Sequence, residues 1–198
     1  MAEIVQLFGT LRQQTHVRTS WLLNLTTDIG IPVIAALSCN GDGGQLAYGL
    51  AARLSATEAV RGAILELCQT ELAIQLAAIK RMELGEENLL PTDRAHLERD
   101  AVINAHQCEL LHPLGVHLMR PEKLIGPQLA TIVNALARCS IEAALIDLTR
   151  PEFGIPVVRA VAPVLQPLPS LVVTDRLRRA VTDHGGGDRY TGGLALIS

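Results

Sequence analysis

The stretch from Ser55 to Lys80 predicts a helix with apolar residues on nearly every side, and so constrains what the rest of the chain must supply. Ser55-Ala56-Thr57-Glu58 matches a capping box, with a hydroxyl for the first free N–H groups and a glutamate three residues on. At about 100° per residue, Val60, Ala63, Ile64, Leu67, Ile74 and Ala78 share one broad face. Leu65, Leu72, Ala73 and Leu76 occupy the other side around a narrow polar strip of Glu58, Gly62, Glu66 and Gln69. A helix apolar nearly all round is buried, so these carboxylates are expected in a dry pocket or lining a cleft. Burying an unpaired carboxylate costs several kcal/mol, so Glu66 calls for a cation, either arginine or a metal ion. Gly62 costs about 1 kcal/mol relative to alanine in a helix, which predicts a close approach to the backbone there. Two glutamates, an amide and a glycine could hold Mg²⁺ and the phosphates it accompanies. The spacing equally fits a Glu58 that only caps the helix and a Glu66 paired with an arginine of a sheet.

The flanking sequence predicts strands before this helix and again near the end of the chain. A short helix is expected over residues 2–13, then strands at Trp21–Leu25 and Ile31–Leu37 joined by Thr26-Thr27-Asp28-Ile29-Gly30. Asn40-Gly41-Asp42-Gly43-Gly44 predicts a hairpin turn into a strand over Leu46–Leu54. Helices follow near 93–109 and 122–138, separated by the loop His112-Pro113-Leu114-Gly115. Strands at Ala143–Leu148 and Pro156–Val161 flank a turn at 149–154, and Thr174-Asp175 caps a last helix. That order predicts an α+β fold, helices packed on a mixed β-sheet. We read residues 1–175 as one unit and 176–198 as a short helix and a mobile Gly-rich tail. No internal repeat and no GxGxxG or GxxxxGK phosphate loop is found.

Several function classes are disfavoured. A net charge of −3 and a pI near 6.1 argue against a nucleic-acid binder, which would be far more basic; Arg176-Leu177-Arg178-Arg179 reads as a solvated helix face. No run of about 18 apolar residues predicts a membrane span, and no signal pattern opens the chain, so a cytoplasmic protein is expected. Cys39, Cys68, Cys108 and Cys139 are widely spaced and are expected as reduced, partly buried thiols. Pro113 and Gly115 separate His112 from His117, so no histidine metal site is expected.

Three segments, in order, resemble the YcaO family. Tyr48-Gly49-Leu50-Ala51-Ala52-Arg53-Leu54-Ser55-Ala56-Thr57-Glu58-Ala59-Val60-Arg61 with Ala63-Ile64-Leu65-Glu66-Leu67-Cys68-Gln69 resembles its strand-turn-helix. Leu25-Thr26-Thr27-Asp28-Ile29-Gly30-Ile31-Pro32-Val33 resembles its strand pair, and Ile146–Arg159 its closing strands. The resemblance implies the C-terminal half of a YcaO domain that uses ATP and Mg²⁺ to activate a peptide-bond oxygen. A cysteine, serine or threonine side chain of the substrate would then give an azoline, and external sulfide a thioamide. It implies Glu66 and Gln69 on the ATP/Mg²⁺ helix, Glu66 as the metal ligand, Arg159 as the basic residue of Ile-Pro-Val-Val-Arg, with Glu58 a weaker candidate and Arg81 near a phosphate-facing arginine.

The family's N-terminal Ser/Glu/Glu/Arg motif has no counterpart here, so a separately encoded N-terminal half is expected to complete the site. Pro163 precedes Val164 where the family often has glycine, and Pro167-Leu168-Pro169 lies too early for the proline-rich end of azoline formers; both tilt the reading towards the thioamide-forming or an uncharacterised branch. Expected partners are a peptide or protein substrate, a TfuA-like or leader-binding protein, and a second copy of the chain. The alternative is a non-catalytic scaffold or peptide-binding module with an exposed apolar patch.

Overall fold

The structure, a computed structural model, describes residues 18–112, 128–166 and 173–184 together with Gln6, Gly9, Thr10 and Arg12. It comprises two compact units, Met1–Leu124 and Ile125–Ser198, a division inside the stretch read as residues 1–175. The four N-terminal residues described are helical. The loop at 113–115, the start of the helix expected from 122, Pro167-Leu168-Pro169 and the Gly-rich tail lie outside the described residues.

In the first unit, β1 (Arg18–Asn24), β2 (Val33–Asn40) and β3 (Ala47–Ala52) form an antiparallel sheet in that order. Asn40–Gly44 is the hairpin turn expected: Gly43 N donates to Asn40 O at 2.9 Å, and Gly43 has φ of 85°. Helix α1 (Ala56–Leu84) then crosses the sheet, four residues longer than expected, and ends where Gly85 takes a φ of 85°. Ser55 is its N-cap residue, but its side chain makes no capping hydrogen bond.

The helix seats closely because β3 presents Ala47, Gly49 and Ala51 to it, alternate residues on one face. A Cβ at Gly49 would overlap the backbone at Ala63 O and Leu67 N. Ala59, Ala63, Ile64, Leu67 and Ile74 of α1 pack there with Ile34 and Ala36 of β2. Helix α2 (Pro91–Val102) joins through Lys80 Nζ, 2.9 Å from Asp93 Oδ2, through the bond of Gln45 N to Asp100 Oδ1, and through Arg99, which lies over the Tyr48 ring and donates to its hydroxyl at 3.0 Å. That helix ends at Val102, short of the expected 109, and single 3₁₀ turns follow.

The second unit has α3 (Gln128–Arg138), the antiparallel pair β4 (Ala144–Asp147) and β5 (Val158–Val161), and α4 (Asp175–His184). Thr174 caps α4 as expected, its Oγ1 accepting from Leu177 N at 3.3 Å. The fold class is α+β. The pairings among the described strands are all antiparallel, so no parallel partner that would make the sheet mixed is among them. None of the four cysteines is in a disulfide.

The hydrogen bonds reveal an internal repeat that the sequence reading misses. Asn24 Oδ1 accepts from Thr26 N at 3.0 Å, and Asp147 Oδ1 from Thr149 N at 2.8 Å. Thr26 Oγ1 accepts from Val33 N and Thr149 Oγ1 from Val157 N, both at 3.1 Å. Leu25 N donates to Val33 O at 2.9 Å, Leu148 N to Val157 O at 2.8 Å. Each loop turns on a glycine of positive φ, 78° at Gly30 and 61° at Gly154, and returns through Gly-Ile-Pro-Val. The β4–β5 hairpin is therefore a second copy of β1–β2, with one extra residue in its loop.

Candidate nucleotide-facing strip

Glu66 owes its position to the close seating of α1. Gly49 lets the helix backbone meet β3, which brings the Glu66 carboxylate to the strand's outer edge, where Leu50 N–H donates to Oε2 at 2.9 Å. Gln69 follows one turn on, and Glu58 lies two turns upstream on the same side. Gly62 lies between them. What approaches its backbone is β3, with Ala51 Cβ 2.9 Å from where a Cβ would stand and Arg53 Nη2 3.5 Å from it. Arg53 is thus a cation beside the strip that spacing alone did not single out; its Nη1 donates to Ala52 O at 2.8 Å.

The expected dry pocket is absent from this arrangement. Glu58, Glu66 and Gln69 are all exposed. Leu65 and Leu72, which should have flanked them under cover, are 53% and 56% exposed. The reason is geometric: a single sheet buries one side of a helix, and the described residues offer nothing for the other. By length and composition α1 could cross a membrane, but its opposite face forms the core of the first unit.

Arg81 is exposed and stands 15 residues from Glu66, about 22 Å along the axis at 1.5 Å per residue. Arg159 is exposed on β5 opposite Ile146, in the second unit.

The carboxylate the helix partly buries is Glu71. Its Oε1 and Oε2 receive the Arg12 guanidinium at 2.5 and 3.0 Å, Ser38 Oγ donates to Oε1 at 2.5 Å, and Arg18 Nε lies 3.3 Å away. Burial pushes the Glu71 carboxyl up, but the bonds from Arg12 and Ser38 and the charges of both guanidiniums outweigh it and hold it below the usual carboxylate range. Burial lowers the Arg18 pKa against the pull of Glu71. Arg18 also donates to Gln45 O at 2.6 Å and to Asn40 Oδ1 at 3.1 Å. With its oxygens occupied by the chain's own cations, Glu71 ties β1, β2 and α1 together and is closed to a ligand. The signal was available, since Glu71 falls within the arc of Ile64, Leu67 and Ile74 at 100° per residue.

Glu66 is the opposite case, an exposed residue whose Oε2 accepts from a backbone N–H. No group of three histidine, cysteine, aspartate or glutamate side chains able to hold a metal occurs among the described residues. The strip therefore does not form a protein cage, but an exposed carboxylate beside an amide fits Mg²⁺, which keeps waters and phosphates and takes only one or two carboxylates.

Two solved structures share this fold. A heterocyclase in complex with substrate and cofactor matches at 24% identity with a TM-score of 0.71, over 93% of this chain and 25% of its own. The heterocyclase TruD matches at 21% identity with a TM-score of 0.66, over 100% of this chain and 28% of its own. The chain thus spans about a quarter of the length of these proteins. A search of curated proteins finds no match. The family model described as YcaO cyclodehydratase, ATP- and Mg²⁺-binding, matches residues 2–166. With most of its length matched to that model, the chain belongs to the YcaO family, whose cofactors are ATP and Mg²⁺.

Proposed function

We propose that this chain contributes Glu66 and Gln69 to an ATP·Mg²⁺ site of a peptide-amide-activating enzyme, and that a further YcaO segment outside these 198 residues completes the site. The observation that carries this reading is the Glu66 carboxylate: anchored by Leu50 N–H at 2.9 Å, exposed, and one turn from Gln69. Bound ATP·Mg²⁺ supplies the phosphoryl group that turns the amide oxygen into a leaving group. The chain's own part is electrostatic and positional. Glu66 would hold a fixed anionic oxygen for the metal, with Gln69 beside it and Glu58 a more distant acidic neighbour. In the substrate, a side-chain thiol or hydroxyl, or external sulfide, would add to the amide carbon and its new bond replace the carbonyl C–O bond; the thiol or hydroxyl proton and the amide N–H proton would be lost to give an azoline, or both protons of hydrogen sulfide to give a thioamide.

The test is calorimetric titration of ATP·Mg²⁺ into this chain mixed with a polypeptide carrying the rest of a YcaO domain. Binding is expected in the mixture, with Glu66→Gln weakening it at least about tenfold, the loss of roughly 1.4 kcal/mol or more. Equal affinity for Glu66→Gln and the unaltered chain would remove Glu66 from the site. The exposed stripe of Leu65, Leu72, Leu76 and Ile79 favours a second reading, a scaffold that docks a TfuA-like or leader-binding partner. On that reading a partner binds, and neither nucleotide nor Glu66→Gln alters the complex.

A further inference from the structure

We propose that β5 is a strand acceptor, and that its occupant is a strand–turn–helix segment built like β3–α1 and supplied from outside these 198 residues. The repeat shows what belongs there. In the first copy, β2 has β1 on one side and β3 on the other, and α1 covers its Ile34 and Ala36. In the second copy β4 takes the place of β1 and β5 that of β2, but among the described residues the sheet ends at β5. Bonding alternates along an antiparallel strand. Because Val157 O accepts from Leu148 N, Val157, Arg159 and Val161 turn their backbone groups to β4, and Val158 and Ala160 turn theirs to the outer edge. Ile34 and Ala36 stand at the equivalent positions and pair there with Ala51 and Gly49 of β3.

The side chains agree. Ile34, Ala36 and Ser38 correspond to Val158, Ala160 and Ala162, a branched residue followed by two small ones. Yet Ile34 is 9% exposed beneath α1 and Val158 is 58% exposed. An isolated two-stranded hairpin is marginal in water, so an acceptor of this shape is completed by a third strand and a helix. The inference rests on the reading that a further YcaO segment completes the domain, and specifies where and how it docks.

The probe is a synthetic peptide copying residues 45–85 of this chain, added to the full chain while amide hydrogen exchange is followed by residue. Val158 and Ala160 are expected to gain at least about tenfold protection. Ala160→Pro should abolish the gain, because its lost N–H faces away from β4 and the β4–β5 ladder survives; unchanged exchange at Ile146 and Arg159 verifies that ladder. If Ala160→Pro unravels the hairpin, a Gly49→Val peptide decides, since its strand cannot seat its helix and should give no protection. Binding of the unaltered peptide without protection of the two amides overturns the proposal, and so does no binding up to about 1 mM. Protection that rises with chain concentration in the absence of peptide makes a second copy the occupant and also overturns it. Glu66→Gln should leave this protection intact, so failure of the nucleotide reading and failure of the docking reading give different results.

Discussion

Glu66 and Glu71 lie on one helix five residues apart, and their surroundings give them opposite roles. Glu71 faces the sheet, is held by Arg12, Arg18 and Ser38, and stabilises. Its side chain is 14% exposed and that of Arg18 6%, so removing the carboxylate leaves a buried guanidinium short of its countercharge. Glu71→Ala is expected to cost about 2–4 kcal/mol in urea unfolding at neutral pH. The Glu71 carboxyl is held below its unfolded value, so its contribution is complete above the ordinary glutamate range, about 4.3. It is lost as pH falls through the lower folded value. Unfolding free energy of the unaltered chain should therefore fall more steeply on acidification below that range than that of Glu71→Gln; parallel pH profiles would contradict the assignment. Helical spacing contained this residue within its apolar arc. It did not reveal the partners, because Arg12, Arg18 and Ser38 reach it only once two strands and an N-terminal helical segment converge.

At the scale of the element, the pairing of α1 with β3 depends on small residues more than on shape matching between large ones. Gly49→Ala places a methyl group against the helix backbone, where no side-chain rotation relieves it. The expected loss is about 2–3 kcal/mol in urea unfolding, at the upper end for overpacking. A loss below about 0.5 kcal/mol, the ordinary surface range, would show that the helix is not seated as described. Gly62, where the sequence predicts a close approach to the backbone, is the other half of the same contact. The element positions were largely legible because capping, turn and alternation signals are local: Ser55 before α1, Thr174 before α4, Asn40–Gly44 between strands. The repeat was not, since the inserted residue in the second loop shifts the matching positions. What unites the copies is side-chain-to-backbone bonding by Asn24 and Asp147 and by Thr26 and Thr149.

For the whole molecule, the main fact is how much apolar surface the described fold leaves uncovered. Leu65, Leu72, Leu76 and Ile79 form a stripe along α1, and Leu145, Ile146, Val157 and Val158 are exposed on the second hairpin. Such surface marks a place where another body packs, in keeping with a chain that spans a quarter of its solved relatives. Replacing Leu72 and Leu76 together by glutamate should change unfolding free energy by no more than about 0.5 kcal/mol each, as at open surface sites, while reducing self-association in light scattering. A loss of several kcal/mol would mean that this stripe is already core.

By itself the sequence determined the order of strands and helices, where α1 and α4 start, the turns, and the family, because these depend on residues close together in the chain. Which carboxylate is partly buried and which meets solvent, what approaches Gly62, and that two hairpins share one design were decided only by tertiary structure. The physical reason is that a periodic pattern says which residues share a side of a helix, while burial depends on whether another element covers that side.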